Sequence, residues 1–343
     1  MKITLIGLDL AQSSIQVCLR DERGQITKNR GMSPAKAKEL LANTPPTTVA
    51  MEACGSAHWW GRLAQRHGHE VRLLPPQHVK AFRRIHKSDG HDALAIVEAA
   101  LRPNLHPVPV KSVAQQDLGL LVQLRDHLVR ERTAKANQIR GFAREYGLVF
   151  PKGIRDLIAG ITRLSLDTPD YSPLTVQLLA EMTRDLVRHC QRVEEVEAML
   201  LEQVKRHPAF ERLQAIPGIG PVIAASLVAK VGQAQQFDNG RQMAAWVGLV
   251  PRQNGTGGHT QLGRITKAGD RYLRCQLIHG ARTVLRWLDR QHPLLRRWLE
   301  ALRTRRGHNR AIVALANKIT RLAYRALRSE EAFDMRKAFA AAT

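Results

Sequence analysis

The sequence predicts an α/β domain followed by a longer, all-α region. Strand and helix patterns alternate over residues 1–108, whereas the rest of the chain carries apolar residues mainly at helical spacing. Aromatic residues make up only 5% of the 343 residues, which favours cores of Leu, Ile, Val and Ala. We therefore expect an α/β domain over 1–108, a helical coiled-coil insert over 109–205 and a helical C-terminal domain over 206–343.

Seven elements account for the α/β domain. Short runs rich in apolar and β-branched residues predict five strands, and two segments with helical spacing predict helices. Their order is three strands, helix, strand, helix, strand, which suits a mixed sheet covered by helices. The predicted strands are 3–8, 14–19, 24–29, 47–51 and 71–74, and the predicted helices are 34–42 and 59–65.

Two long helical segments predict the insert. Leu121, Leu124 and Leu128 recur at helical spacing within about 113–146, and a second apolar stripe runs through about 174–204. We interpret this region as a helical hairpin or coiled coil. Arginines and lysines lie between the leucines, and this basic face is as consistent with nucleic-acid binding as with simple solvation.

The charge of the chain predicts a polyanionic partner. Lys and Arg number 53 against 30 Asp and Glu, which gives a net charge of +23. Basic side chains bind phosphates and release counterions, so we expect nucleic acid as the partner. A membrane is the rival polyanion, but no apolar run approaches the roughly 18 residues of a spanning helix. The first strand is too short and too soon acidic, at Asp9, for a signal peptide.

The four cysteines are far apart, at Cys18, Cys54, Cys190 and Cys275. This spacing argues against a zinc site or a disulfide framework. A reducing cytoplasm is therefore the expected location.

Four carboxylates predict a metal site in the α/β domain. Asp9 and Glu52 each end a predicted strand, and neighbouring strands would bring them to one end of the sheet. Asp89 and Asp92 stand three residues apart at a predicted helix start, on one side of the helix. Such a set can hold two Mg²⁺ ions, with Mn²⁺ as a substitute, for phosphodiester displacement. Alternatively, Asp89 is the N-cap of the helix, and both Asp89 and Asp92 serve only to cap it and to compensate its dipole.

A glycine turn and a glycine-rich loop are candidate phosphate sites in the C-terminal domain. The segment around Gly218 and Gly220 has the pattern helix, turn, helix, and resembles a helix-hairpin-helix motif that binds phosphate through backbone N–H groups. A tight turn between helices is the alternative. The loop 255–263 is expected to be flexible, with basic residues around it. Those basic residues are Arg252, Arg264 and Lys267. The residues alone identify no nucleophile there.

Arginines are concentrated between Arg282 and Arg310, where nine occur. They are too many for one solvated face in a chain this basic, so we expect contacts with the DNA backbone. The candidates for these contacts are Arg303, Arg305 and Arg306. Trp287 and Trp298 lie among them and are expected in the core.

Six segments together resemble one known family. They are Gly7-Leu8-Asp9, Met51-Glu52-Ala53, Lys87-Ser88-Asp89-Gly90-His91-Asp92-Ala93, Ile216-Pro217-Gly218-Ile219-Gly220, Gly248-Leu249-Val250-Pro251-Arg252, and Gly263 to Lys267 continuing to Leu273-Arg274. Over nearly the whole chain their order and spacing resemble the DEDD transposases with a RuvC-like nuclease domain. These are the bridge-RNA-guided recombinases of insertion-sequence family one hundred and ten.

The resemblance implies a fold, a site and partners. It implies an RNase H-like N-terminal domain whose DEDD site is Asp9, Glu52, Asp89 and Asp92. It implies a C-terminal domain with a catalytic serine, where this chain has Thr256, a residue with the same hydroxyl and an extra methyl group. It also implies a structured RNA that pairs with target and donor DNA, a homo-oligomer (dimer or tetramer), and a location on the bacterial nucleoid.

Three functions are compatible with these observations. The first is an RNA-guided recombinase that forms a covalent link to DNA. The second is a RuvC-like, Mg²⁺-dependent, structure-specific endonuclease that hydrolyses DNA without such a link. The third is a helix-hairpin-helix protein that binds DNA and has no enzymatic activity.

Overall fold

The computed structural model describes residues 2–83, 88–164, 169–257 and 259–339. The chain forms two compact units. The first unit comprises residues 1–113 together with 235–238, and the second comprises 114–234 together with 239–343. The expected separation of the second unit into an insert and a C-terminal domain stays a prediction.

A five-stranded mixed sheet forms the centre of the first unit. Its strands are β1 (Ile3–Leu10), β2 (Ile15–Asp21), β3 (Ile26–Met32), β4 (Thr48–Glu52) and β5 (Glu70–Leu74). The spatial order is β3-β2-β1-β4-β5. β2 pairs antiparallel with both β1 and β3, whereas β4 pairs parallel with both β1 and β5. All five predicted strands are confirmed.

Helices cover both faces of this sheet, because its central strands are apolar on both sides. The helices are α1 (Pro34–Asn43), α2 (Ala57–Arg66), α3 (Pro76–Lys80) and α4 (Asp89–Ala100). On one face Leu8 and Val49 pack with Leu41 of α1 and Trp60 of α2. On the other face Leu5 packs with residues of α4. The predicted α/β class of this region is confirmed.

The second unit begins with an antiparallel pair of long helices. They are α5 (Val113–Arg144) and α7 (Pro173–Lys205), and α6 (Ile154–Thr162) lies between them in sequence. Leu128 of α5 packs with Val193 and Val196 of α7. Salt bridges add to this apolar seam, among them one between Arg125 and Glu197. The predicted helical hairpin is confirmed.

The remainder of the second unit is helical except for one β-hairpin. Its elements are α8 (Phe210–Gln214), α9 (Pro221–Val231), α10 (Gly240–Val247), β6 (Pro251–Thr256), β7 (His259–Ile265), α11 (Arg271–Arg286), α12 (Pro293–Arg306), α13 (His308–Arg328) and α14 (Met335–Phe339). The expectation of an all-α region with a flexible loop at 255–263 is wrong, because β6 and β7 pair antiparallel. Both strands are largely exposed, so no alternation of apolar residues marks them in the sequence.

None of the helices in the described ranges is both long and apolar enough to cross a membrane.

Candidate active site

The sheet brings Asp9 and Glu52 to the same edge. β1 and β4 are parallel neighbours, and Leu8 lies opposite Met51 in their register. Asp9 and Glu52 are the next residues of each strand, so they leave the sheet side by side at its carboxyl edge. This is the placement that the sequence predicts for these two carboxylates.

A glycine in β1 allows helix α4 to lie close to the same strand. A Cβ at Gly7 would come within 2.6 Å of Val97 Cγ2 and 3.0 Å of the Ala93 carbonyl oxygen. Only a residue without a side chain fits this approach without a shift of the helix. The first turn of α4 is therefore held over the end of β1, and its Asp92 is buried, with 6% of its surface exposed.

The start of α4 differs in one respect from the prediction. Ser88, and not Asp89, is the N-cap: the Ser88 hydroxyl accepts a hydrogen bond from the His91 N–H. Asp89 is the first residue of the helix and is exposed. The cap is satisfied by a serine, so the carboxylate of Asp89 is free of that role.

Two amide side chains tie the start of α4 to the sheet. Gln16 lies opposite Asp9 on β2, and its Nε2 donates to Asn29 Oδ1 at 2.8 Å. Asn29, on β3, donates in turn from Nδ2 to the carbonyl oxygen of Gly90 at 2.9 Å. These bonds fix the position of the helical turn that carries Asp89 and Asp92. Asn29 is exposed and polar, and no feature of its sequence neighbourhood marks it for this role.

The four carboxylates are close enough to interact electrostatically. The pKa of Asp9 is raised, first by burial and then by the charges of Asp92, Asp89 and Glu52. The positive charge of Arg83 acts in the opposite direction. The structure thus brings together all four carboxylates that the sequence nominates.

Arg83 lies among these carboxylates and is absent from the sequence-based assignment. Its guanidinium forms ion pairs with Glu52 and Asp92 at 3.3 and 3.0 Å. Asp92 Oδ1 is buried and accepts no hydrogen bond of good geometry, despite the short distance to Arg83. The sequence contains many arginines, and only the fold distinguishes this one.

The chemistry of this cluster fits divalent cations. Four carboxylates face one guanidinium, which leaves negative charge in excess, and carboxylate oxygens are the ligands that Mg²⁺ prefers. Within the described residues, however, no three such side chains are already gathered as a ready-made metal cage. Two of the carboxylates are drawn to Arg83 instead, so metal binding requires a rearrangement of these side chains.

His58 and His86 lie near these carboxylates in the sequence, and the structure describes only the first of them. The ring Nδ1 of His58 accepts a hydrogen bond from the backbone N–H of Lys111 at 3.2 Å. Burial, with the charges of Lys111 and Arg62, lowers the pKa of His58 to about 4. One ring nitrogen of His58 is therefore bound to the backbone, and the side chain is only partly buried. His86 lies outside the described residues.

Thr256 is the last residue of β6, in the second unit. Its backbone pairs with that of His259 across the hairpin turn. Gly257 in this turn has a φ of 58°, which glycine adopts without strain. The side chain of Thr256 and the whole of Gly258 lie outside the described part of the chain. The role of the Thr256 hydroxyl stays a prediction.

Basic residues flank this hairpin. Arg252 on β6 and Arg264 on β7 are exposed on adjacent strands. Lys267 follows β7 and is also exposed, with a φ of 56° that is unusual for a residue with a side chain. Its N–H donates to the Gly248 carbonyl oxygen at 3.2 Å. In the described ranges none of these three cations forms a salt bridge, so they are available to bind phosphate.

The two glycines of the turn before α9 have different surroundings. Gly218 has a φ of 92°, and a Cβ on Gly280 would lie 2.0 Å from its carbonyl oxygen. Packing therefore explains the glycine at position 218, because the absence of side chains at Gly218 and Gly280 allows their backbones to touch. Gly220 is the exposed N-cap of α9, and a Cβ added to it would enter open space. Phosphate binding by either residue stays a prediction.

The arginine-rich region is exposed. Arg303, Arg305 and Arg306 lie in the last turn of α12, where cations also compensate the helix dipole. Trp287 is 44% exposed, with the Arg290 guanidinium 4.4 Å from its ring centroid, so its expected place in the core is wrong. The end of α11 leaves it on the surface.

Comparisons with known proteins agree with this arrangement. A family described as "Transposase IS116/IS110/IS902 family" matches residues 210–296. A second family, of DEDD transposases of the IS110 type and described as "Transposase", matches residues 6–147 and so includes all four carboxylates.

Three curated relatives extend the similarity along the chain. A probable family 20 transposase of Pseudomonas aeruginosa is 42% identical, over 97% of this chain and 99% of the relative. The transposase for insertion sequence element IS1111A of Coxiella burnetii is 37% identical over 96% and 91%. The transposase for element IS1328 of Yersinia enterocolitica is 36% identical over 94% and 96%. The chain therefore belongs to the IS110/IS116/IS902 family of transposases, which act on DNA by cutting and recombining it.

Proposed function

We propose that the protein is a metal-dependent recombinase that cuts and rejoins donor and target DNA under the guidance of a structured bridge RNA. The observation that carries the proposal is the convergence of Asp9, Glu52, Asp89 and Asp92. Burial first, and then the charges of the other three carboxylates, raise the pKa of Asp9. Transposases need to stabilise charge on a phosphodiester, and a cluster of this kind is suited to that task when cations are bound.

The topology of the first unit supports an RNase H-like, RuvC-like assignment. Three antiparallel strands are continued by two parallel strands in the order β3-β2-β1-β4-β5. The central strand β1 and its parallel neighbour β4 supply one carboxylate each, and α4 supplies the other two. Catalytic carboxylates on rigid elements are held more accurately than carboxylates on loops.

The four carboxylates would hold Mg²⁺, with two ions per site and Mn²⁺ as a substitute. Once bound, the ions supply Lewis-acid stabilisation of the attacking and leaving oxygens. The protein's own contribution is the placement of the carboxylates by β1, β4 and α4. Arg83 must give up at least part of its contact with Glu52 and Asp92, and its guanidinium is then free to bind a phosphate oxygen.

The hydroxyl of Thr256 is the proposed nucleophile. Its oxygen forms a bond to phosphorus while the bond from phosphorus to the oxygen of the leaving strand breaks. The hydroxyl proton passes to a base, and the leaving oxygen takes up a proton. One phosphate ester is thus exchanged for another, and the energy of the ester bond is kept in the covalent intermediate for the later rejoining step. Arg252, Arg264 and Lys267 would stabilise the charge on the phosphoryl oxygens.

A structured RNA and further copies of the chain are the proposed partners besides the target and donor DNA. The net charge of +23 and the exposed arginines of the helical unit support binding of a structured RNA. Base pairing by that RNA would then choose the DNA sequence. We propose a homo-oligomer, a dimer or a tetramer, because strand exchange joins two DNA partners. Since bacterial DNA is the proposed substrate, we expect the protein to act in the cytoplasm on the nucleoid.

A suicide substrate tests the proposal. A DNA duplex with a nick near the cleavage site loses its leaving fragment and traps any covalent intermediate. Incubation with protein, RNA and Mg²⁺ is expected to give a protein–DNA adduct that survives denaturing electrophoresis. Mg²⁺-dependent cutting without an adduct would instead identify a RuvC-like endonuclease. Binding without cutting would identify a helix-hairpin-helix binding protein.

A further inference from the structure

A concave surface in the second unit is lined by five basic side chains. It lies between the start of α10, the middle of α13 and α14, and has a volume of about 570 Å³. We call it the basic pocket and define it by Arg241, Lys318, Arg321, Arg325 and Lys337. No Asp or Glu is among the described residues that line it. It is separate from the glycine turn, the β-hairpin and the arginines of α12.

The packing of the helices creates this concentration of charge. A Cβ at Gly240 would lie 3.0 Å from Arg321 Cα and 3.1 Å from its carbonyl oxygen. The first residue of α10 is therefore able to touch the backbone of α13, which brings Arg241 to the basic residues of α13. Lys318, Arg321 and Arg325 follow one another at spacings of three and four residues, so they share one face of α13.

Aromatic side chains hold one of the cations in place. Lys318 Nζ lies 5.0 Å from the ring centroid of Trp298 and 4.7 Å from that of Phe339. The two rings contact each other edge to face at 5.6 Å. Cation–π contacts of this kind restrict the amine to one position without neutralising its charge. The amine of Lys318 is therefore held in one position at the wall of the pocket, unlike the amine of a freely rotating surface lysine.

Carboxylates of the described residues balance only a small part of the positive charge of the pocket. Among the described residues, Arg241, Lys318, Arg321 and Lys337 form no salt bridge, and Arg325 reaches only Glu331, at 3.7 Å. Burial and the neighbouring charge of Arg321 both lower the pKa of Lys318. A half-buried cation without a carboxylate is costly, so a bound anion would lower that cost at Lys318, whereas the other four cations of the pocket are exposed.

We infer that the basic pocket binds phosphodiester groups of a nucleic-acid backbone, as a contact site separate from the catalytic residues. Arginine forks and lysine amines fit phosphate oxygens, and several cations converging on one hollow suit one or two adjacent phosphates. A backbone contact of this kind is independent of base sequence. It fixes where the nucleic acid runs across the helical unit.

Paired double variants of the full-length protein test the inference. Arg241→Gln/Arg321→Gln removes two cations from the pocket, and Arg328→Gln/Arg336→Gln removes two exposed cations from α13 and α14 that do not line it. Fluorescence anisotropy with a labelled DNA duplex and with a structured RNA of equal nucleotide number measures affinity over a series of salt concentrations, without metal. Circular dichroism and thermal melting confirm that both variants fold.

The pocket variant is expected to lose about tenfold in affinity, and the slope of log K against log salt is expected to fall by about two. The control variant should stay within about twofold of wild type. Loss for the duplex alone assigns the site to DNA, and loss for the RNA alone assigns it to RNA. Equal behaviour of the two variants with both probes overturns the inference.

Chemical labelling of lysines gives a second measurement that requires no substitution. Acetylation of Lys337 in the wild-type protein, followed by mass spectrometry, is expected to slow when the bound nucleic acid is present. Unchanged labelling of Lys337 at saturating nucleic acid contradicts the inference. Neither measurement involves DNA cleavage, so the result is independent of the proposed catalytic mechanism.

Discussion

The guanidinium of Arg83 bridges Glu52 and Asp92, with its Nε 3.0 Å from Asp92 Oδ1 and its Nη2 3.3 Å from Glu52 Oε2. The side chain of Asp92 is only 8% exposed, so its charge depends on a nearby cation. In the metal-free protein Arg83 supplies that cation. If divalent ions bind this cluster as proposed, they compete with Arg83 for the same two carboxylates.

Arg83→Gln is expected to lower the melting temperature of the metal-free protein and to increase its response to Mg²⁺. Loss of a partly exposed ion pair costs roughly 1–2 kcal/mol here, and bound metal compensates for it. Differential scanning fluorimetry over a Mg²⁺ titration measures both effects. Arg66→Gln, on the exposed end of α2, is the matched control. An identical Mg²⁺ response in wild type and Arg83→Gln would refute the competition.

Asp9→Asn is expected to abolish DNA cleavage while raising the melting temperature of the metal-free protein at neutral pH. Folding raises the pKa of Asp9, through burial and the charges of Asp92, Asp89 and Glu52. Ionisation of Asp9 therefore destabilises the folded protein. The free energy of unfolding falls as pH rises from the pKa of Asp9 in the unfolded chain to its higher pKa in the folded chain.

The other three carboxylates are expected to be equally necessary for cleavage. Glu52→Gln, Asp89→Asn and Asp92→Asn each remove one proposed metal ligand while keeping the shape of the side chain. Electrophoresis of end-labelled DNA measures cleavage, and melting curves exclude misfolding. Recombination at the wild-type rate by Asp9→Asn in Mg²⁺ would remove the metal assignment.

His58 is expected to contribute to the loss of folding stability at acidic pH. Its pKa is lowered from 6.5 to about 4, first by burial and then by Lys111 and Arg62. The unfolded chain therefore takes up a proton before the folded chain does, and stability is lost as pH falls from 6.5 towards 4. Melting temperatures of His58→Gln should depend less on pH across this range than those of wild type. His67→Gln, at the end of α2, is the control, and equal slopes for the two variants would contradict the assignment.

Thr256→Ala is expected to bind DNA and RNA but to form no covalent adduct with a suicide substrate. Thr256→Ser should keep or raise activity, because serine offers the same oxygen with less crowding. Thr260→Ala, four residues further on, is the control and should retain adduct formation. An alanine variant at Thr256 that still exchanges strands would assign the chemistry to activated water or to another hydroxyl.

Replacing Arg303, Arg305 and Arg306 together with Ala is expected to weaken binding to all DNA sequences alike. The three side chains are exposed at the end of α12, and contacts with the phosphate backbone carry no sequence information. Anisotropy with duplexes of unrelated sequence measures the effect, and the salt slope should fall by about one for each arginine that binds a phosphate. Unchanged affinity would exclude this turn from the interface.

The sequence alone determined the five strands of the first unit and nominated its carboxylates, although it gave no sign of the short helix α3. Apolar runs end at Asp9 and Glu52, and a helix begins near Asp89, so local patterns are sufficient to nominate these carboxylates. The long helices of the second unit follow from apolar residues at helical spacing. The hairpin of β6 and β7 could not be predicted in this way, because its strands are exposed on both faces and rich in polar residues.

The tertiary structure decided which distant residues meet. Arg83, Asn29 and Gly7 act on the carboxylate cluster through contacts between separate elements, such as the bond from Asn29 to Gly90, which joins residues 61 positions apart. Packing of Gly240 against α13 likewise gathers the cations of the basic pocket. Local propensity carries no information about such pairs, because they depend on how close two backbones come once the apolar faces are buried.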